Sequence, residues 1–285
     1  MKKLMLALAA LTGIATVTAS AAEYNWQDVR DNVSTPLYQN RTAMDQNVVR
    51  SALEHLGTIE AVNDGQKLSV IRYKIIAYDQ TDGADRSFAG LKKHADGLIA
   101  GTKFEKALTG AQYVSLFSIW WRQKEPDFAQ EVYNFMKGTA GAEKFADMGI
   151  WAAAVGRYEE AYNIYYNSRK GYAAVRAMNI AISRLNDPAK AFAAAKVITT
   201  TDCSAREVRQ VLNVVTSKLT GDDSVKADEM KKFLQNLNRR YTAKLSEDEK
   251  TWEPVISQIR TLLKRIEVLR RSGSLRQVRP TRSGN

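Results

Sequence analysis

The stretch "GIWAAAVGRYEEAYNIYYNS", Gly149 to Ser168, reads as two helices built to lie against each other. Phe145, Met148, Gly149 and Ala152 recur at helical spacing and form one apolar stripe. "VGRY" then turns the chain, and Tyr158, Ala161, Tyr162 and Tyr165 form the next stripe. Gly149 carries no side chain, so the second helix can come close. Gly156 is where the first helix should end, because glycine tolerates the left-handed conformation of a C-terminal cap. Ala161 is small enough to keep the two helices in contact.

The same pattern extends outward. Apolar stripes at i, i+3, i+4 and i+7 run through Val49–Leu56, Phe88–Leu98, Tyr113–Trp120 and Phe128–Met136. They continue through Val175–Leu185, Ala191–Ile198, Val208–Leu219 and Met230–Tyr241. Each such helix must bury one face. Ser204-x-x-Glu207 is a capping box ahead of one of them. "KLSVIRYKIIAY", Lys67 to Tyr78, is rich in β-branched residues, yet Leu68, Ile71, Ile75 and Tyr78 fit a helix and no strand partner lies nearby. A last long helix is expected to begin near Pro254, which suits a first turn. Its Val255, Ile259, Leu262, Ile266 and Leu269 make a seam for another helix, from this chain or from a partner. The sequence thus predicts an all-α fold of stacked antiparallel helix hairpins. A short solenoid is one form of it, and an irregular helical bundle is the other.

Gly149, Gly156, Tyr158, Ala161 and Tyr165 together resemble a tetratricopeptide repeat. That family has a small residue in its first helix, a glycine at the turn, and then an aromatic, an alanine and another aromatic. Ser168 stands where the family has a later alanine, and its closing proline is absent. "EPDFAQEVYNFM" and "NDPAKAFAAAKVI" are weaker neighbouring units, about 30 residues away on either side where the family period is 34. The resemblance implies a solenoid core over about 110–245. It also implies that the first helix of each hairpin lines a ligand groove.

The ends differ from the body. Lys2 and Lys3, the apolar run Leu4 to Val17, and Ala19-Ser20-Ala21 have the layout of a secretory signal peptide over 1–22. The expected mature chain is a single helical domain over 23–271, exported to the bacterial periplasm or envelope, with no transmembrane segment. One cysteine, Cys203, gives no internal disulfide and reads as a small buried thiol near a helix start. From Arg260 to the C-terminus eight cations face only Glu267, out of a whole-chain charge of +11. The body is near neutral, and the basic tail over 272–285 is expected to be disordered.

Several kinds of chemistry lack their residues. His55 and His94 each sit one step off an apolar stripe, with no cysteine nearby, which argues against zinc. There is no G-x-S-x-G, no phosphate-binding loop and no dinucleotide fingerprint. "DQTDGAD", from Asp79, would put Tyr78 in the first position of a calcium loop and reads instead as a turn. The acids Glu159-Glu160, Asp222-Asp223 and Glu247-Asp248-Glu249 read as caps and dipole partners at helix starts. No catalytic residue and no cofactor is expected.

The expectation is therefore a non-enzymatic binding or scaffolding module that holds a protein or peptide. Trp121 of "SIWW", with Ile150 and Trp151 on the first helix of the best-matched unit, are its candidate partner-binding residues. Arg270, Arg271, Arg276, Arg279 and Arg282 are candidates for an anionic envelope surface, since guanidinium binds phosphate and carboxylate in bidentate fashion. Nucleic acid is not expected, because the tail has no interleaved aromatics. The alternatives are an enzyme of envelope polysaccharide with two carboxylates as acid and base, or self-association through the 254–271 helix.

Overall fold

The computed structural model describes residues 22–108, 110–117, 119–139, 146–220 and 225–271. The leader expected over 1–22 lies outside these apart from Ala22, and so does the tail over 272–285. The chain is all-α: among the described residues the only strand pairing is a two-residue parallel bridge, β1 (Ala22–Glu23) with β2 (Ile59–Glu60). No described helix is long and apolar enough to cross a membrane. The sequence reads as one domain, but by its internal contacts the chain divides into two compact units, Met1–Glu105 and Lys106–Asn285.

The first unit opens with α1 (Trp26–Val29), which runs through a π-helical stretch, Arg30–Ser34, into α2 (Thr35–Asn40). Val29, Val33 and Leu37 are fully buried along this run. It is followed by α3 (Gln46–Thr58), α4 (Asp64–Tyr78) and α5 (Phe88–Ile99). The ambiguous segment around Lys67–Tyr78 is helical, started by a capping box in which Asn63 and Gln66 bond reciprocally. A buried amide network closes the unit: Asn40 Nδ2 donates to Gln80 Oε1 at 3.0 Å, and Gln80 Nε2 donates to the Leu37 carbonyl at 2.9 Å. "DQTDGAD" forms the turn between α4 and α5, with Gly83 at positive φ. A single turn, α6 (Phe104–Ala107), spans the division.

The second unit begins with α7 (Gly110–Ser115) and a 3-10 turn, Trp120–Lys124. The single helix expected through Tyr113, Leu116, Phe117 and Trp120 is broken between these two. Trp121 therefore lies on a tight 3-10 turn, where successive residues are about 120° apart. Then come α8 (Pro126–Lys137), α9 (Ala146–Ala154), α10 (Tyr158–Ser168), α11 (Gly171–Ser183) and α12 (Pro188–Lys196). Each of these packs on the next in chain order. The unit ends with α13 (Ala205–Val214), α14 (Ala227–Thr242) and α15 (Glu249–Arg271).

The opening stretch folds as its residues dictate. Gly156 has φ +78°, and its N–H donates to the Ala153 carbonyl at 3.1 Å. The Arg157 N–H donates to the Ala152 carbonyl at 2.8 Å, which completes a Schellman end to α9. A Cβ on Gly149 would stand 2.8 Å from the Tyr165 ring, so only glycine lets α10 lie where it does.

The last helix departs from expectation at its start. It begins at Glu249, capped by Asp248, whose carboxylate accepts from the Thr251 N–H at 3.1 Å. Pro254 lies inside the helix. Pro254 and Lys250 are both exposed there, so water can reach the carbonyl that proline leaves unbonded. Val255, Ile259, Leu262 and Ile266 are all buried within the chain's own core, against α13 and α14. Burying each contributes about 1.5–3 kcal/mol as an upper bound. From Val255 to Ile266 the seam is thus filled by helices of the same chain.

Candidate functional site

In the second unit, α9 and α11 are the leading helices of two consecutive hairpins, α9–α10 and α11–α12. Between them runs a groove of about 480 Å³. Ile150, Ala153 and Ala154 of α9 form one wall, at i, i+3 and i+4. Arg176, Asn179, Ile180 and Ser183 of α11 form the other, with Arg184 just past the helix end. Tyr158 and Tyr165 of α10 supply aromatic faces, and Gln123 and Lys124 close one end. The spacing explains why these residues gather: each wall is one helical face, flanking the apolar stripe that enters the core.

The charge of the groove is one-sided, since its walls hold Lys124, Arg176 and Arg184 and no carboxylate. The Arg184 guanidinium lies over the Tyr158 ring at 5.2 Å, and that of Arg176 over the Tyr165 ring at 6.0 Å. The nearest acids in sequence face elsewhere. Glu159 bonds Lys190 of α12 at 2.6 Å. Glu160 accepts from the Tyr133 hydroxyl at 2.6 Å and from Lys137 at 2.9 Å, both on α8. Burial pushes the Glu160 carboxyl up, but the bonds from Tyr133 and Lys137 outweigh this and hold it below the usual range.

The sequence-predicted residues fare unequally. Ile150 lines the groove. Trp151 does not: it is 1% exposed and meets Phe128 edge to face at 5.9 Å, so it is a core residue and not a partner contact. Its position one step round the helix from Ile150 turns it by about 100°, into the bundle. Trp121 is half-buried and is not among the groove walls. Arg270 and Arg271 fall on the last turn of α15, with side chains outside the described residues, and Arg276, Arg279 and Arg282 lie wholly outside them. Reasoning from sequence missed Arg176, Ile180, Arg184 and Lys124. The available signal was register: Arg176, Asn179, Ile180 and Ser183 repeat on α11 the spacing of Ile150, Ala153 and Ala154 on α9.

The first unit has a cleft of about 530 Å³ beside α4 and α5, where His94 stacks on Tyr78 at 3.9 Å, nearly parallel. Burial lowers the His94 pKa and favours the neutral ring. His55, one step off the α3 stripe, is half-buried, with its Nε2 2.7 Å from an Asp28 carboxylate oxygen. Cys203 is buried, and burial raises its pKa, which suppresses the thiolate. Among the described residues no three His, Cys, Asp or Glu side chains converge on a metal position. No family model, no curated protein and no solved structure matches the chain.

Proposed function

We propose that the chain is an exported, non-enzymatic binding or scaffolding protein of the bacterial envelope, which holds a protein or peptide segment in the groove between α9 and α11. The groove carries this reading. It is open, sits on the leading helices of two stacked hairpins, and joins apolar, aromatic and cationic walls. The resemblance to tetratricopeptide repeats supports it, because that family binds ligands along the same helices. The absence of a carboxylate from the walls favours binding over acid–base hydrolysis at this place, since a glycosidase needs two. Export rests on the leader-like residues 1–22. The basic end, Arg270 to Arg282, adds attachment to an anionic surface.

A pull-down from envelope extract tests the reading, with the chain from Glu23 used at low and high salt, with and without 272–285. A partner retained at high salt by both forms, and lost by Ala154→Trp in the groove, is expected. A partner lost when 272–285 is removed moves the function to the basic end, whereas salt alone screens exposed charge pairs at either place. Turnover of an envelope glycan by the purified chain would defeat the non-enzymatic reading.

A further inference from the structure

The chemistry of the groove narrows its occupant. Lys124, Arg176 and Arg184 are all exposed, and none makes an ion pair with a carboxylate among the described residues. The two acids that begin α10 are committed to Lys190, Lys137 and Tyr133 on other helices. Three cations are thus held at one concave place without a counter-charge from the fold. The tyrosines beneath Arg176 and Arg184 favour defined positions for the guanidiniums, and a guanidinium over a ring keeps its in-plane N–H donors for an anion.

We propose that the groove recognises an acidic peptide segment, with Asp or Glu side chains on Arg176 and Arg184 and an apolar side chain between them on Ile150 and Ile180. The proposal rests on the reading of the groove as a peptide site. Spacing gives it a register. Arg176 on α11 and Arg184 just past its end are eight residues apart, about two turns or 12 Å along the helix axis at 1.5 Å per residue. An extended peptide advances about 3.3 Å per residue, so the two acids fall about four residues apart. Side chains of an extended segment alternate, so acids at i and i+4 share a face with the residue at i+2, which meets the apolar wall. The chain's own Arg-rich end has the wrong sign to fill this place.

The test pans a displayed library of random peptides against the chain from Glu23. The wild type is compared with Arg176→Gln/Arg184→Gln, Arg176→Glu/Arg184→Glu and Ala154→Trp. All three changes sit at exposed positions, and helicity and melting are checked first by circular dichroism. The expected result is enrichment of peptides with Asp or Glu about four residues apart. The double Gln variant weakens synthetic copies of them on the order of two- to thirtyfold, the range for two exposed ion pairs. The double Glu variant turns the selection toward basic peptides. Enrichment without acids, abolished by Ala154→Trp, overturns the acidic proposal and leaves the peptide groove standing. Enrichment indifferent to Ala154→Trp, or none at all, overturns both.

Discussion

Gly149 is the tightest point of the hairpin that shapes the groove. Gly149→Ala brings a methyl group to 2.8 Å from the buried Tyr165 ring, which must then move. The expected cost is about 1–3 kcal/mol, read by chemical denaturation. Because Tyr165 also lines the groove, the same variant should weaken any groove ligand, whereas Trp151→Ala should act on stability alone, by about 3–5 kcal/mol. Ile150 and Trp151 show what sequence can and cannot fix at this scale. Their neighbouring positions are apolar and equally suited to either role. Only the direction in which α9 faces its partners decides that one is core and the other wall. His94 gives a pH test. Its folded pKa is depressed by burial, so the unfolded chain binds its proton first. Its contribution to stability is present above about pH 6.5 and is lost as pH falls through the folded value. The measurement is the His94 ring titration by NMR, with a midpoint below 6.5 expected.

Among the elements, α15 decides between two fates for one apolar seam. Ile259 is fully buried against the chain's own helices. Ile259→Asp should therefore unfold the second unit, at a cost above about 3 kcal/mol, and should not yield a well-folded monomer from an oligomer. Melting with sedimentation distinguishes the outcomes. The α8–α10 contact offers a gentler probe. Tyr133→Phe removes one hydrogen bond to a carboxylate and should cost about 1 kcal/mol. Glu160, held below its ordinary pKa, adds stability that is present above the usual carboxylate range and lost as pH falls through the folded value. Helix existence was legible here, since the stripes at α3, α5, α8 and α10 to α14 needed only a period of 3.6. Ends were less so. Pro254 suggested a first turn, yet Asp248 caps the helix earlier, because an exposed proline can be accommodated inside a long helix whose seam is well buried. The run Trp26–Asn40 carries its own stripe, Val29, Val33 and Leu37 at i, i+4 and i+8, too short to stand out from its polar surroundings.

At the scale of the whole chain, the division near Glu105 was the least legible feature. The stretch "AGTKFEKALTG", Ala100 to Gly110, looks like one more helix-to-helix turn, and no charge run or proline marks it. What separates the units is where side chains find partners, and a linear pattern does not contain that. The second unit has its own extensive core, from Ala146 to Ile266. Residues 106–271 alone are expected to give a helical spectrum and a cooperative melt. A featureless melt would show that the core depends on the first hundred residues. The fold class itself was written throughout, because nearly every apolar residue repeats at one period.

Adjacent acids on α10 have a consequence for the groove on the opposite side of the hairpins. Glu159 reaches forward to α12 and Glu160 back to α8, so two neighbouring residues rivet three trailing helices together. Among the described residues no ion pair joins the leading helices α9 and α11. Acid that protonates Glu160, or a cation competing for those carboxylates, would slacken the rear seam and let the front open like the pages of a book whose spine has been loosened.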